Sequence, residues 1–135
     1  MITSKTTYIG GLRTVNTHLR SSCQIITDAP VDNKGKGEAF SPTDLVATSL
    51  CDCMLTIMGI AAEERGFSIK GATGEIKKIM TSSGQRKIEE IVINLDLSMC
   101  TLTDSQKKIL KNIPSVCPVA LSLHPDIKQN VKIKF

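Results

Sequence analysis

Between Ser41 and Gly66 the chain carries one long, punctuated apolar stretch, and this stretch limits the possible folds more than any other feature. Ser41 is placed to cap a helix, Pro42 fits its first position, and Asp44 sits where a reciprocal capping acid belongs. The helix is expected to run through Leu45 to about Arg65, with Gly66 ending it. Asp44, Thr48, Asp52, Thr56 and Glu63 fall near one line at helical spacing. Nearly everything off that line is apolar: Leu45, Val46, Ala47, Leu50, Met54, Leu55, Ile57, Met58, Ile60 and Ala61. A helix apolar around most of its girth needs cover on several sides. A single chain of 135 residues offers little material for that cover. A second copy of the chain is the natural source, and a homodimer is expected.

The length suits one domain, 1–135, better than two. Hydrophobic residues at 41% and charged residues at 22% give a globular balance rather than a disordered one. Aromatics are only 3%, so the core must be aliphatic, and the stacking platforms of single-strand nucleic-acid binders are nearly absent. The net charge of +4 is spread along the chain. Its densest cluster, Lys128, Lys132 and Lys134, reads as the solvated face of a terminal strand. No nucleic-acid partner is expected. The segment Met1 to Lys5 lacks a secretory pattern, and no uninterrupted apolar run reaches the ~18 residues of a membrane span. Five cysteines at irregular spacing do not form a secreted disulfide framework. Together these features predict a reduced, cytoplasmic protein with no membrane partner.

Elsewhere the pattern predicts a mixed α+β domain. Thr6–Ile9, Thr14–Leu19 and Gln24–Thr27 read as N-terminal strands, punctuated by Gly10-Gly11 and Ser21-Ser22. Asp28 to Gly37 reads as a loop. After the long central helix come two β segments, Ser68 to Met80 and Lys87 to Leu97, joined as a hairpin at Thr81-Ser82-Ser83-Gly84. Thr103-Asp104-Ser105-Gln106 is a second capping-box pattern, opening a helix to about Ile113. A further helical piece, Ser115 to Ser122, completes a second helix pair, and Asn130 to Phe135 forms a C-terminal strand.

The cysteines carry most of the possible chemistry. Cys51 and Cys53 lie about 200° apart on the helix, so they neither bond each other nor share a metal. Each reads as an inert small hydrophobe or a separate thiol, and pattern alone does not rank them. Cys117 precedes Pro118 and falls at or just before a helix start, where free N–H groups favour a thiolate. It is either a reactive thiol or a cap residue that happens to be Cys. Cys23 and Cys100 have no partner at metal-ligand spacing. With only His18 and His124 in the chain, no metal site is expected. A nucleophile elbow and a phosphate loop are also absent from the sequence.

Two segments resemble the OsmC/Ohr family. Ala39-Phe40-Ser41-Pro42-Thr43-Asp44-Leu45 through Cys51-Asp52-Cys53 is similar to that family's first signature, in which a small polar residue and Pro open the central helix. The peroxidatic Cys follows twelve residues after the polar residue, and counting from Ser41 gives Cys53. Val116-Cys117-Pro118 through Leu123-His124-Pro125 resembles the second cysteine motif. The Ser-Pro-Thr-Asp opening and Leu-His-Pro ending are closer to the broader OsmC-like branch than to Ohr proper.

The resemblance implies an intertwined homodimer with sites at the subunit interface. It also implies reduction of organic hydroperoxides to alcohols through a Cys53 sulfenic acid and a Cys53–Cys117 disulfide. No bound cofactor is implied; an external dithiol reductant, possibly lipoyl-type, restores the thiols. Family members supply an Arg from the N-terminal strands, held by a Glu near the helix start. Arg13 resembles that Arg, with Leu12 interposed after Gly10-Gly11, and Arg20 is the alternative. The Glu is replaced here by Thr43, which with the nearby acids Asp44 and Glu38 makes up the expected substrate-binding residues. Asp44 has a competing task as the helix-capping acid. The departure at Thr43 keeps open a second reading, a non-catalytic stress or ligand-binding protein with redox-sensing cysteines.

Overall fold

The computed structural model of the protein describes residues 1–135. The chain divides into two compact units, Met1–Val46 and Ala47–Phe135, with the boundary inside the central helix.

The first unit holds β1 (Ser4–Gly10), β2 (Arg13–His18) and β3 (Gln24–Asp28), an antiparallel meander in that order. Gly10, Gly11 and Leu12 all take positive φ between β1 and β2, and Leu12 donates its N–H to Tyr8 Oη. On one face of the meander Thr6 donates to Asn16 at 2.7 Å, Asn16 donates to Thr14 at 3.1 Å, and Thr14 meets Thr27 at 2.5 Å. Such cross-strand polar pairs fix the register of a sheet with little apolar cover. The register pairs Arg13 with Asp28. The sequence placed Asp28 in a loop; in the structure it is the last residue of β3 and is buried.

The long helix, α1, spans Pro42–Glu63. Its start follows the capping expectation. Ser41 Oγ accepts the Asp44 N–H at 3.1 Å, and Asp44 Oδ2 accepts the Ser41 N–H at 2.9 Å. Ser41→Ala is therefore expected to lower stability by about 1 kcal/mol in urea unfolding, and to leave the reactivity of Cys53 unchanged. After Glu63 the chain turns out through Gly66, whose φ of 74 closes the helix.

In the second unit, β4 (Thr73–Met80) and β5 (Ile88–Asp96) form the anticipated hairpin. β4 begins five residues later than the sequence suggested, because Gly71 takes φ 94 and Ala72 donates back to the Ile69 carbonyl. α2 (Asp104–Lys111) opens with Thr103 in a complete capping box with Gln106. A 3-10 turn (Pro114–Val116) and α3 (Pro118–Ser122) follow. β6 (Lys128–Lys134) then runs parallel beside β5, giving the sheet order β4-β5-β6. The anticipated α+β order of strands, long helix, hairpin, helix pair and strand is thus what the chain adopts.

Ala47, Leu50, Cys51, Met54, Met58 and Ala62 make a stripe at helical spacing along α1. Ile91, Ile93 and Leu95 alternate along β5, and they are buried in one core with Leu110, Cys117 and all of the α1 stripe but Ala62. Cys51 is only 2% exposed, and burial pushes its thiol pKa up, reinforced by the neighbouring Asp52 charge. A Cβ added to Gly74 would lie 2.3 Å from Cys51 Sγ and 3.3 Å from Leu95 Cδ2. The sulfur therefore occupies the space that a side chain on β4 would need. Gly74→Ala should cost about 1–3 kcal/mol through overpacking, and Cys51→Ala in the same chain should recover part of that loss in unfolding experiments.

The remaining girth of α1 is less well covered. Only a third of its most apolar 18-residue window is buried, 33% at a mean hydropathy of 1.8. By length and composition it is the one helix able to cross a membrane. The expectation from uninterrupted runs missed this, because Asp44, Asp52 and Glu63 break the run without lowering its average enough.

Candidate active site

Cys117 owes its position to the two prolines around it. Pro114 starts the 3-10 turn, and Pro118 excludes a helical backbone at the residue before it. Cys117 accordingly takes φ -68 and ψ 145 and becomes the N-cap of α3. Its sulfur accepts the Ala120 N–H at 3.4 Å. The cap reading of this residue is the one the backbone shows. Cys117 is fully buried, and Cys53 is among the groups that act on its thiol.

Cys53 projects from α1 on a different flank from Cys51 and stays half-buried against the core. Burial is the largest influence on Cys117 and pushes its pKa up. The Ala120 N–H opposes that effect, while the neighbouring Cys53 adds to it. The sequence expected the helix start to favour a Cys117 thiolate; desolvation outweighs that effect here. Burial distinguishes the two thiols: Cys117 is fully buried, and Cys53 is half-buried. Both are free thiols, as are Cys23, Cys51 and Cys100.

In the first unit, Arg13 bridges two acids. Its Nη2 donates to Asp28 Oδ2 at 3.3 Å and also to Glu38 Oε2. The Arg13 side chain is 31% exposed, the Glu38 side chain 59%, and that of Asp28 not at all. Asp28 Oδ2 also accepts the Glu38 N–H at 3.0 Å, and this contact leads the causes that hold its carboxyl below the ordinary range. Burial opposes that shift and Arg13 supports it. Asp28 Oδ1 is buried without a partner. The two acids raise the Arg13 pKa in turn, Glu38 more than Asp28.

Glu38, singled out from the sequence, thus sits on Arg13. Thr43 Oγ1 lies 3.2 Å from Ser41 Oγ, and Asp44 carries the cap described above. Asp28 is the residue that sequence reasoning missed. It lies directly opposite Arg13 in the β2–β3 register, a pairing that no local pattern in Gln24–Asp28 signals.

Beside Met54 a cavity of ≈ 400 Å³ opens between the α2 end and β6, with Pro114, Val131 and Ile133 as its apolar walls and Lys111 and Gln129 at its polar side.

The profile of the OsmC family, described as OsmC-like protein, matches residues 35–132. A protein from Psychrobacter arcticus 273-4, provisionally assigned to osmotic stress induction and the detoxification response, is 53% identical. The match covers 98% of this chain and 96% of that one, with a TM-score of 0.92. The organic hydroperoxide resistance protein OsmC of Legionella pneumophila is 16% identical with a TM-score of 0.72, covering 100% and 98% of the two chains. An OsmC-like protein of Mycoplasma pneumoniae is 15% identical with a TM-score of 0.76, covering 97% and 94%. No curated protein gives a significant match. The order of elements, the two cysteine motifs and these likenesses agree, and the chain belongs to the OsmC family.

Proposed function

We propose that the protein is a cytoplasmic thiol-dependent peroxidase that reduces organic hydroperoxides, working as a homodimer. The observation that carries this reading is the pair of free thiols at one core, Cys53 and the buried helix cap Cys117, with Cys53 near enough to act on the Cys117 thiol. In the first step a Cys53 thiolate attacks the outer peroxide oxygen. The O–O bond breaks, an alkoxide leaves and takes a proton, and Cys53 becomes a sulfenic acid. Cys117 then attacks the Cys53 sulfur. The S–S bond forms, the S–O bond breaks, and the hydroxyl leaves as water with the Cys117 proton. An external dithiol, such as one of the lipoyl type, reduces the disulfide by two exchange steps.

Attack by a thiolate in an apolar setting is helped by a cation. Arg13 is our candidate for that role, positioned by Asp28 and Glu38. Thr43 and Asp44 belong to the wall that receives the peroxide. The reading is supported by the relatives named for hydroperoxide resistance and by the two acids that Arg13 retains although position 43 is not Glu. The second copy supplies the apolar cover that α1 lacks within one chain.

Steady-state turnover with dithiothreitol or dihydrolipoamide tests the proposal. Cumene hydroperoxide is expected to give a higher kcat/KM than hydrogen peroxide, because the apolar girth of α1, which carries Cys53, favours an apolar substrate. Strong preference for hydrogen peroxide would contradict an apolar site. A complete lack of turnover, with all thiols intact, would leave a binding protein.

A further inference from the structure

Along β6 the row that includes Gln129, Val131 and Ile133 faces the core, and strand alternation would put an apolar residue at position 129. Gln129 is instead half-buried, paired in register with the buried Ile91. Its Nε2 donates to the Ala120 carbonyl at 2.9 Å. That carbonyl lies in the last turn of α3, where backbone acceptors lack partners within the helix. The same residue, Ala120, sends its N–H to Cys117 Sγ at 3.4 Å. Ala120 is thus held at both ends, by the thiol on one side and by β6 on the other. A helix of five residues has little rigidity of its own.

We infer that Gln129 is a positioning residue for Cys117: by anchoring Ala120 to β6, it keeps the Cys117 sulfur aimed at Cys53 for disulfide closure. The inference rests on the reading of Cys53 and Cys117 as a redox pair. It assigns Gln129 to the second step and not to the first. The Ala120 N–H also favours the anionic form of Cys117 that must attack. A donor fixed beside the sulfur therefore aids closure through both direction and charge.

Gln129→Glu keeps the shape and removes the donor. Gln129→Met also removes the donor and suits the apolar row, so loss of fold does not obscure the result. Two oxidants separate this inference from the peroxidase reading. With cumene hydroperoxide, both variants should oxidise Cys53 at the wild-type rate but close the disulfide about tenfold more slowly. The lag would appear as a larger dimedone adduct on Cys53. With 5,5′-dithiobis(2-nitrobenzoate), Cys53 takes one thionitrobenzoate and Cys117 expels it as the Cys53–Cys117 disulfide forms. That second release should slow by a similar factor, whatever the peroxide activity. Closure at the wild-type rate in both variants with the aromatic disulfide would overturn the positioning role, even if their melting temperatures fall. Wild-type closure with the aromatic disulfide but no reaction with the hydroperoxide would overturn the peroxidase reading and leave Gln129's role standing. Absence of the disulfide from the wild type with both oxidants would overturn both.

Discussion

Cys53→Ser is expected to reduce hydroperoxide turnover on the order of 10³-fold, to the level of the uncatalysed background. A serine hydroxyl keeps the size and much of the hydrogen bonding of the thiol, but it is not ionised near neutral pH. Cys117→Ser should behave differently. Its Cys53 still reacts, because the first step uses only that sulfur, but the product stays as a sulfenic acid and goes on to the sulfinic form when peroxide is in excess. One equivalent of cumene hydroperoxide should therefore remove two free thiols from the wild type, none from Cys53→Ser and one from Cys117→Ser. The asymmetry follows from the structure: Cys117 is fully buried, whereas Cys53 is half-buried and partly open to an incoming molecule. Equal losses in the two variants would mean that the roles are not divided in this way. Cys51→Ala should leave the count of oxidised thiols unchanged, because that sulfur is sealed against Gly74 and its pKa is raised by burial.

Arg13→Met is expected to lower the rate of Cys53 oxidation by about 10²-fold, the usual loss when one preorganised charge leaves a reacting centre. Asp28→Asn should produce a smaller loss, because Glu38 still holds the guanidinium. The two acids contribute differently to stability. Asp28 has its carboxyl pKa lowered in the folded protein, first by the Glu38 N–H and then by Arg13, against the cost of burial. A carboxyl whose folded pKa is depressed contributes stability that is fully present above its ordinary value of about 3.9 and is lost as pH falls through the lowered value. Unfolding of the wild type followed by circular dichroism should show this loss below about pH 4. Asp28→Asn should remove that part of the acid slope and lower stability at neutral pH. An unchanged slope would mean that the Arg13–Asp28 contact is not maintained in solution.

Much of this architecture was legible because its signals are local. Ser41-Pro42 and Asp44 dictate a helix start through backbone N–H groups only a few residues away, and Thr103 with Gln106 does the same for α2. Alternation along β5 depends on the two-residue period of a strand, so Ile91, Ile93 and Leu95 could be read as core. The parallel placement of β6 beside β5 could not be read this way, since it pairs residues such as Ile91 and Gln129 across a long stretch of chain. Ser68 to Ala72 misled for a related reason: its composition favours a strand, but the positive φ at Gly71 turns the chain before β4.

The site divides along the same line. That Cys117 caps a helix followed from Pro114 and Pro118. That its sulfur reaches Cys53 is a tertiary fact, and before the structure only the family resemblance paired them. Asp28 escaped notice because an acid after a short apolar strand looks like the first residue of a loop. Its place opposite Arg13 emerges only from the β2–β3 register. Gln129 escaped because nothing in a polar residue at the start of a Lys-bearing strand indicates that it reaches α3.

Peptide mapping of the reduced protein after a single equivalent of cumene hydroperoxide, run without reductant, bears most directly on the whole account. The expected product is one cross-linked peptide pair joining Cys53 to Cys117 within a chain, with Cys51 recovered as an unmodified thiol. Cross-links that instead use Cys23 or Cys100, or a Cys53 oxidised while Cys117 stays free in the wild type, would show that the neighbouring sulfurs are not the working pair.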